Sequence, residues 1–128
     1  MAYKKYLTKE DKLKALSRNN RKYYKTKKGK LMITYNNMNR RVRGYVKPHL
    51  YKGLDLLSRE SFYEFSNESI EFNILYDNWV NSGYDRKLSP SIDRRITSKG
   101  DTLDNMRWIT HSENSKQGAI NRYKANKL

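Results

Sequence analysis

Cysteine is absent from this 128-residue chain. That excludes a disulfide framework and any zinc site built on thiolates. No apolar run approaches the length of a membrane span, and the basic start lacks the apolar stretch of a signal peptide. No membrane partner is therefore expected, and the expected setting is soluble and cytoplasmic. Histidine occurs only at His49 and His111, so any role that needs an imidazole falls on one of these two. The two prolines are Pro48, in a linker, and Pro90, ahead of a hairpin. Apolar residues make up 36% of the chain and the mean hydropathy is −1.08, which predicts a modest core in one domain, or a small domain with an arm. There is no internal repeat and no low-complexity segment.

Acidic residues are scarce in one half only. Residues 1–52 hold 17 Lys/Arg against two acids, whereas residues 53–128 hold 11 of each, so the net charge of +15 lies in the N-terminal part. Such a split points to a polyanion, with nucleic acid ahead of a membrane surface because no strongly amphipathic basic helix is evident. The plainer alternative is a basic surface with no dedicated partner. The division expected is residues 1–52 as a basic helical DNA-binding region, 53–88 as a helical core segment and 89–128 as a C-terminal motif, together one compact domain with an N-terminal arm.

Thr8-Lys9-Glu10-Asp11 reads as a helix cap, with the helix running to about Lys25 on a thin stripe of Leu13 and Leu16. Tyr23 and Tyr24 follow, then the basic run 25–30 with Lys25, Lys27, Lys28 and Lys30. The tyrosines suit base or sugar stacking or packing on the body equally well. Residues 30–43 read as a second helix, with Leu31, Tyr35, Met38 and Val42 at helical spacing and Gly44 as its stop. Its other face presents Lys30, Asn37, Arg40 and Arg41, with Arg43 close by, to track phosphates. Residues 45–53 read as a linker containing His49. Ser58 should cap a short helix over 59–65 with Phe62 and Phe65 inward. Asn67 should cap the next, over 68–81, with Phe72, Leu75, Tyr76 and Trp79 as its apolar face and Gly83 as its stop. Glu64, Glu68 and Glu71 read as a solvated acidic face. The tail 119–128, with Arg122, Tyr123, Lys124 and Lys127, continues or frays from a last helix.

The stretch S-P-S-I-D-R-R-I-T-S-K-G-D-T-L-D-N-M-R-W-I-T-H-S-E-N, from Ser89 to Asn114, carries the chemistry. Residues 91–96 read as a strand with Ile92 and Ile96 on one face, and 97–104 as a polar turn in which Gly100 is able to take a positive φ. Residues 106–109 read as a second strand carrying Trp108. Thr110-x-x-Glu113 starts a helix. This order gathers Asp93, Asn105 and Asn114 and can bring Asp93 and Asn114 within reach of one ion, both offering hard oxygen ligands of the kind Mg²⁺ or Ca²⁺ prefers. Taken singly, each is also ordinary turn chemistry.

The pattern S-I-D-R…N-M-R-W-I-T-x-S-E-N resembles the ββα-metal motif of HNH nucleases, most closely the phage and intron-encoded homing endonucleases, over about a quarter of the chain. The resemblance implies an α+β fold: a mostly helical body with a C-terminal ββα-metal hairpin and helix. It implies Asp93 and Asn114 as metal ligands and Asn105 as the residue that orients the loop and the base. Where the family carries its base histidine this chain has Arg94, which stays protonated and cannot serve as a base. Relatives with Asp-Arg take a base from elsewhere or do without a conventional one.

The expected function is thus a DNA endonuclease that nicks or cleaves by metal-assisted phosphodiester hydrolysis, of phage or mobile-element origin. Mg²⁺, or Mn²⁺ or Ca²⁺ in the same site, is the expected cofactor; zinc is not. Arg94 would clamp a phosphate, and His49, then His111 or a tyrosine, would activate water; His111 also has readings as a third ligand or a plain surface histidine. The partner is double-stranded DNA, bound by a monomer or homodimer. The rivals are a non-catalytic DNA-binding protein with a degenerate HNH fold and an RNA-binding basic protein, though no RNA module is recognisable.

Overall fold

The computed structural model describes residues 8–126. Residues 1–7 of the expected basic region and Lys127 of the tail lie outside the described residues. The chain divides into two compact units, Met1–Ile33 and Thr34–Leu128; the change in charge after residue 52 falls inside the second. The protein is α+β, mostly helical, with a two-stranded antiparallel sheet. Among the described residues no helix is long and apolar enough to cross a membrane.

In the first unit, helix α1 (Lys9–Lys25) starts where the capping signature places it. The Thr8 hydroxyl accepts from the Asp11 N–H at 3.0 Å, which satisfies one of the free donors of the first turn. Leu13 and Leu16 stay more than half exposed, and Ala15 is the buried residue of this helix. Helix α2 (Lys27–Val42) starts three residues earlier than the periodicity suggested. Thr26 caps it by accepting from Gly29 N–H at 3.0 Å, so a single residue separates the two helices.

In the second unit the rest of α2 buries Tyr35 and Met38. Gly44 ends the helix as expected: it takes φ 88°, its N–H donates to Arg41 O, and Tyr45 N–H reaches back to Arg40 O. This is the paired 5→2 and 6→1 closure that a residue without a side chain allows. The expected linker holds a one-turn helix, α3 (Pro48–Tyr51), with Pro48 in its first turn. Ser58 caps α4 as expected, but α4 (Arg59–Glu68) runs three residues past Phe65. The cap of α5 (Ile70–Asn81) is Ser69, not Asn67. The Ser69 hydroxyl accepts from Phe72 N–H at 3.1 Å, while Asn67 lies inside α4. Glu64, Glu68 and Glu71 are exposed.

After a 3₁₀ turn at Arg86–Leu88 come β1 (Pro90–Arg94), β2 (Met106–Thr110) and α6 (His111–Asn126). The first strand ends at Arg94, two residues short of the sequence reading, and Ile96 is 48% exposed rather than on the core face. The register pairs Ile92 with Trp108, Asp93 with Arg107 and Arg94 with Met106. Trp108 fixes which face is which. Its ring lies 4.5 Å from that of Phe72 and 5.8 Å from that of Phe62, and its Nε1–H donates to the fully buried Ser66 hydroxyl at 3.1 Å.

Trp108→Phe keeps most of the apolar packing but leaves Ser66 Oγ without this donor. It is expected to destabilise the fold by about 1–3 kcal/mol, read from urea unfolding. A loss below a few tenths of a kcal/mol would show that the indole N–H does not anchor the hairpin.

Candidate active site

The hairpin and the start of α6 meet through Asn114. Thr110 caps α6 by accepting from Glu113 N–H at 3.1 Å, which places Asn114 in the first turn beside β1. The Asn114 amide donates to Ser91 Oγ at 2.7 Å and to the Ile92 carbonyl at 3.1 Å. A carbonyl can only accept, so the amide nitrogen must face the strand and the oxygen must face away. Among the described residues nothing donates to that oxygen.

Asp93 stands on β1 two residues from Ser91, with its side chain 10% exposed. Its Oδ2 accepts from Arg107 Nε, its cross-strand partner, at 2.9 Å. Its other oxygen has no donor among the described residues. Asp93 and Asn114 both line a cavity of about 330 Å³. A carboxylate oxygen and an amide oxygen are the donors a hard divalent cation takes. Among the described residues no group of three or more His, Asp or Glu side chains gathers for a metal. An ion held here would therefore complete its shell with water and phosphate oxygens, as Mg²⁺ commonly does. The donor set fits Mg²⁺.

Asn105 and Arg94 shape the loop between the strands. Asn105, 3% exposed, accepts from Ile96 N–H at 2.9 Å and donates to Ile96 O at 3.1 Å and Gly100 O at 2.8 Å. Arg94 Nη1 donates to Thr97 O at 2.7 Å and Lys99 O at 3.2 Å, and its guanidinium lies 4.6 Å from the centre of the Tyr51 ring. One terminal nitrogen of Arg94 is thus committed to the loop, while the residue still lines the cavity. Gly100 does not use the positive φ open to a glycine. Glycine is needed there for another reason: a Cβ would collide with the Asp55 carbonyl. The same contact pins the loop to the 55–57 segment, where Leu57 N–H donates to Asp101 O at 3.0 Å.

That pinning buries a residue the sequence reading passed over. Asp101 is 5% exposed and lines the cavity with Asp93 and Asn114. No hydrogen bond reaches its carboxylate among the described residues. Burial raises its affinity for a proton above the ordinary value of 3.8, and the nearby charges of Arg41 and Arg94 pull the other way. The sequence signal was weak, because T-S-K-G-D-T-L-D reads as a solvated turn until its long-range contact is known.

Neither histidine lines the cavity. His49 is exposed on α3, two residues from the cavity-lining Tyr51, and His111 opens α6, half-buried, its N–H donating to Ser89 O at 2.8 Å. Of the expected phosphate contacts, Lys25 and Lys28 are exposed and Lys27 is half-buried in the first unit. Lys30 is also half-buried, and burial holds its ammonium below the usual lysine range. In the second unit Arg40 and Arg43 are exposed and Arg41 lines the cavity.

Because the folded carboxyl of Asp101 binds its proton more tightly than the unfolded one, Asp101 is harmless to stability below about pH 3.8 and costs stability as pH rises through its folded pKa. Asp101→Asn is expected to gain in Tm over the wild type as pH is raised from about 4 to 7. A difference in Tm that stays flat over this range would rule out a strained buried carboxylate.

Compared with protein-family models, with curated proteins and with solved structures, the chain matches none.

Proposed function

We propose that this chain is a divalent-metal-dependent DNA endonuclease of the HNH type. The observation that carries the reading is the one cavity lined by Asp93 and Asn114, each with an oxygen that receives no described hydrogen bond, beside Arg41 and Arg94. Oxygen donors for a cation and cationic side chains for a phosphate in one cavity suit a phosphodiester bound together with a metal ion.

Asp93 and Asn114 would hold the Mg²⁺, which when bound supplies charge stabilisation to the crowded phosphate and the departing 3′ oxygen. The rest falls to the chain. Arg107 holds the Asp93 carboxylate, and Ser91 with the Ile92 carbonyl holds the Asn114 amide, so both donor oxygens are fixed before substrate arrives. Arg41 and Arg94 supply positive charge to the phosphate. Asn105 keeps the loop in place, the role its counterpart plays in the family that the motif resembles. Arg94 cannot take a proton from water. Asp101 and Tyr51 are the other acids lining the cavity, and burial raises the proton affinity of the Asp101 carboxylate, which suits it to accept a proton from water. His49 and His111 rank behind them as bases because they lie outside the lining. Duplex DNA would be held by Lys25, Lys27, Lys28 and Lys30 of the first unit and by Arg40, Arg41 and Arg43 of the second.

A second reading, a DNA-binding protein without activity, is favoured by one specific observation: the residue in the base position is tied to loop carbonyls. Supercoiled plasmid incubated with and without Mg²⁺ separates the two. Under the first reading the wild type nicks only with Mg²⁺. Asp93→Ala is expected to abolish that nicking while DNA affinity stays within a few-fold. Full activity in this variant would remove the metal site, and binding without nicking by the wild type would select the second reading.

A further inference from the structure

Asp93 borders two cavities, and the second has no role in the hydrolysis described above. It encloses about 530 Å³ and is lined by Arg94, Arg95 and Arg107 with Gln117 and Asn121 of α6. Asp93 is its one carboxylate, and that charge is already paired with Arg107 Nε at 2.9 Å. The cavity therefore carries a surplus of positive charge. Its donors are also partly fixed in place. Arg107 is held through Nε by Asp93, so its two terminal nitrogens project from a set geometry, and its side chain is 49% exposed. Arg95 is exposed, and among the described residues its guanidinium has no partner. Gln117 donates to Asn121 Oδ1 at 3.1 Å, which turns the Asn121 amide N–H groups outward as further donors.

We infer that this cavity binds a backbone phosphate of duplex DNA adjacent to the one at Asp93, with Arg95 and Arg107 as its contacts. The arginine forks of Arg95 and Arg107, the positive charge of Arg94 and the amide donors, with Ile96 as the one large apolar lining side chain, match a compact oxyanion rather than an apolar ligand. The two cavities share Asp93, Arg94, Thr97 and Asn121, so a strand laid across one runs on into the other. The identity of the anion as DNA rests on the nuclease reading; the presence of an anion site rests on the arginines alone. Neither Arg95 nor Arg107 stood out in the sequence, where the basic N-terminal run drew the eye.

Anisotropy of a labelled short duplex, titrated in EDTA over a salt series, tests this without any need for cleavage. Each lost phosphate contact should reduce the log–log salt slope by about 0.9. Arg95→Gln is expected to lower the slope by about 0.9, and Arg95→Gln with Arg107→Gln by about 1.8. Arg95 makes no described side-chain contact, so the single variant should fold as the wild type does and decides the matter even if the double variant does not fold. A slope unchanged in Arg95→Gln overturns the site. Displacement of the duplex by a polyglutamate peptide as readily as by unlabelled duplex also overturns it, in favour of an acidic protein partner. Displacement by millimolar inorganic phosphate as readily as by duplex would mean a free-phosphate site and would overturn the DNA assignment. The plasmid assay keeps the nuclease reading separate: a lowered slope with no Mg²⁺-dependent nicking leaves the anion site and removes the enzyme, and the reverse pattern leaves the enzyme and removes the anion site.

Discussion

The burial of one indole governs the site. Trp108 is wedged between Phe62 and Phe72 and tied by its N–H to Ser66. Side chains alternate along a strand, so fixing Trp108 inward sends Arg107 to the other face, and the register carries its partner Asp93 with it. A one-residue slip of β1 would turn Asp93 into the aromatic cluster, and one of β2 would expose the indole. Those penalties, the burial of an unpaired carboxylate or the loss of a buried tryptophan, keep the acid facing the cavities. The hairpin has only five residues in each strand, and a two-stranded sheet of that length is marginal by itself. Its geometry is borrowed from helices α4 and α5.

The second constraint is the clasp on the loop. Asn105 and Arg94 together take five hydrogen bonds to loop backbone atoms from Ile96 to Gly100. A loop rich in turn residues would otherwise sample many conformations. Held this way, it presses Gly100 onto Asp55 and carries Asp101 beneath the surface. The arginine at position 94 therefore serves the loop and the cavity together. Arginine reaches two carbonyls with one nitrogen and keeps further donors for the cavity, a division of labour an imidazole with two ring nitrogens lacks.

What the sequence made legible was local. Thr8, Ser58 and Thr110 announced their helices because a capping hydroxyl acts within three residues, and Gly44 and Gly83 announced the ends because only a positive φ closes them so. Trp108, Asp93 and Asn114 were legible as a spaced set. Choices between near-equivalent neighbours were not: Asn67 and Ser69 are both good caps, and packing of Phe72, a fully buried ring, settles which one starts α5. Asp101 was invisible for a different reason. Its burial depends on residues 55–57, more than forty positions away, and nothing in its own neighbourhood distinguishes it from the exposed Asp104 three residues on. The arginine-lined cavity was hidden likewise, since Arg95, Arg107 and the α6 amides meet only once the hairpin packs on the helix.

Costs that a stable fold avoids elsewhere collect around the smaller cavity. Asp101 keeps a carboxylate buried without a hydrogen bond from any described residue. Lys47, which also lines it, takes φ 42° and ψ 62° directly before Pro48, a left-handed conformation that a side chain with a Cβ adopts at a cost of roughly 1–3 kcal/mol. Asp93 sits nearly buried against a half-exposed arginine, a pair whose mutual attraction does little more than offset desolvation. Three such features on unrelated segments, Lys47 before α3, Asp93 on β1 and Asp101 in the hairpin loop, converge on one volume. Packing alone gives no reason for that coincidence: an asparagine at 101 or a glycine at 47 would relieve the strain at no loss of core. The function proposed above would give one, because groups that bind a charged ligand are poorly solvated and mutually strained until it arrives.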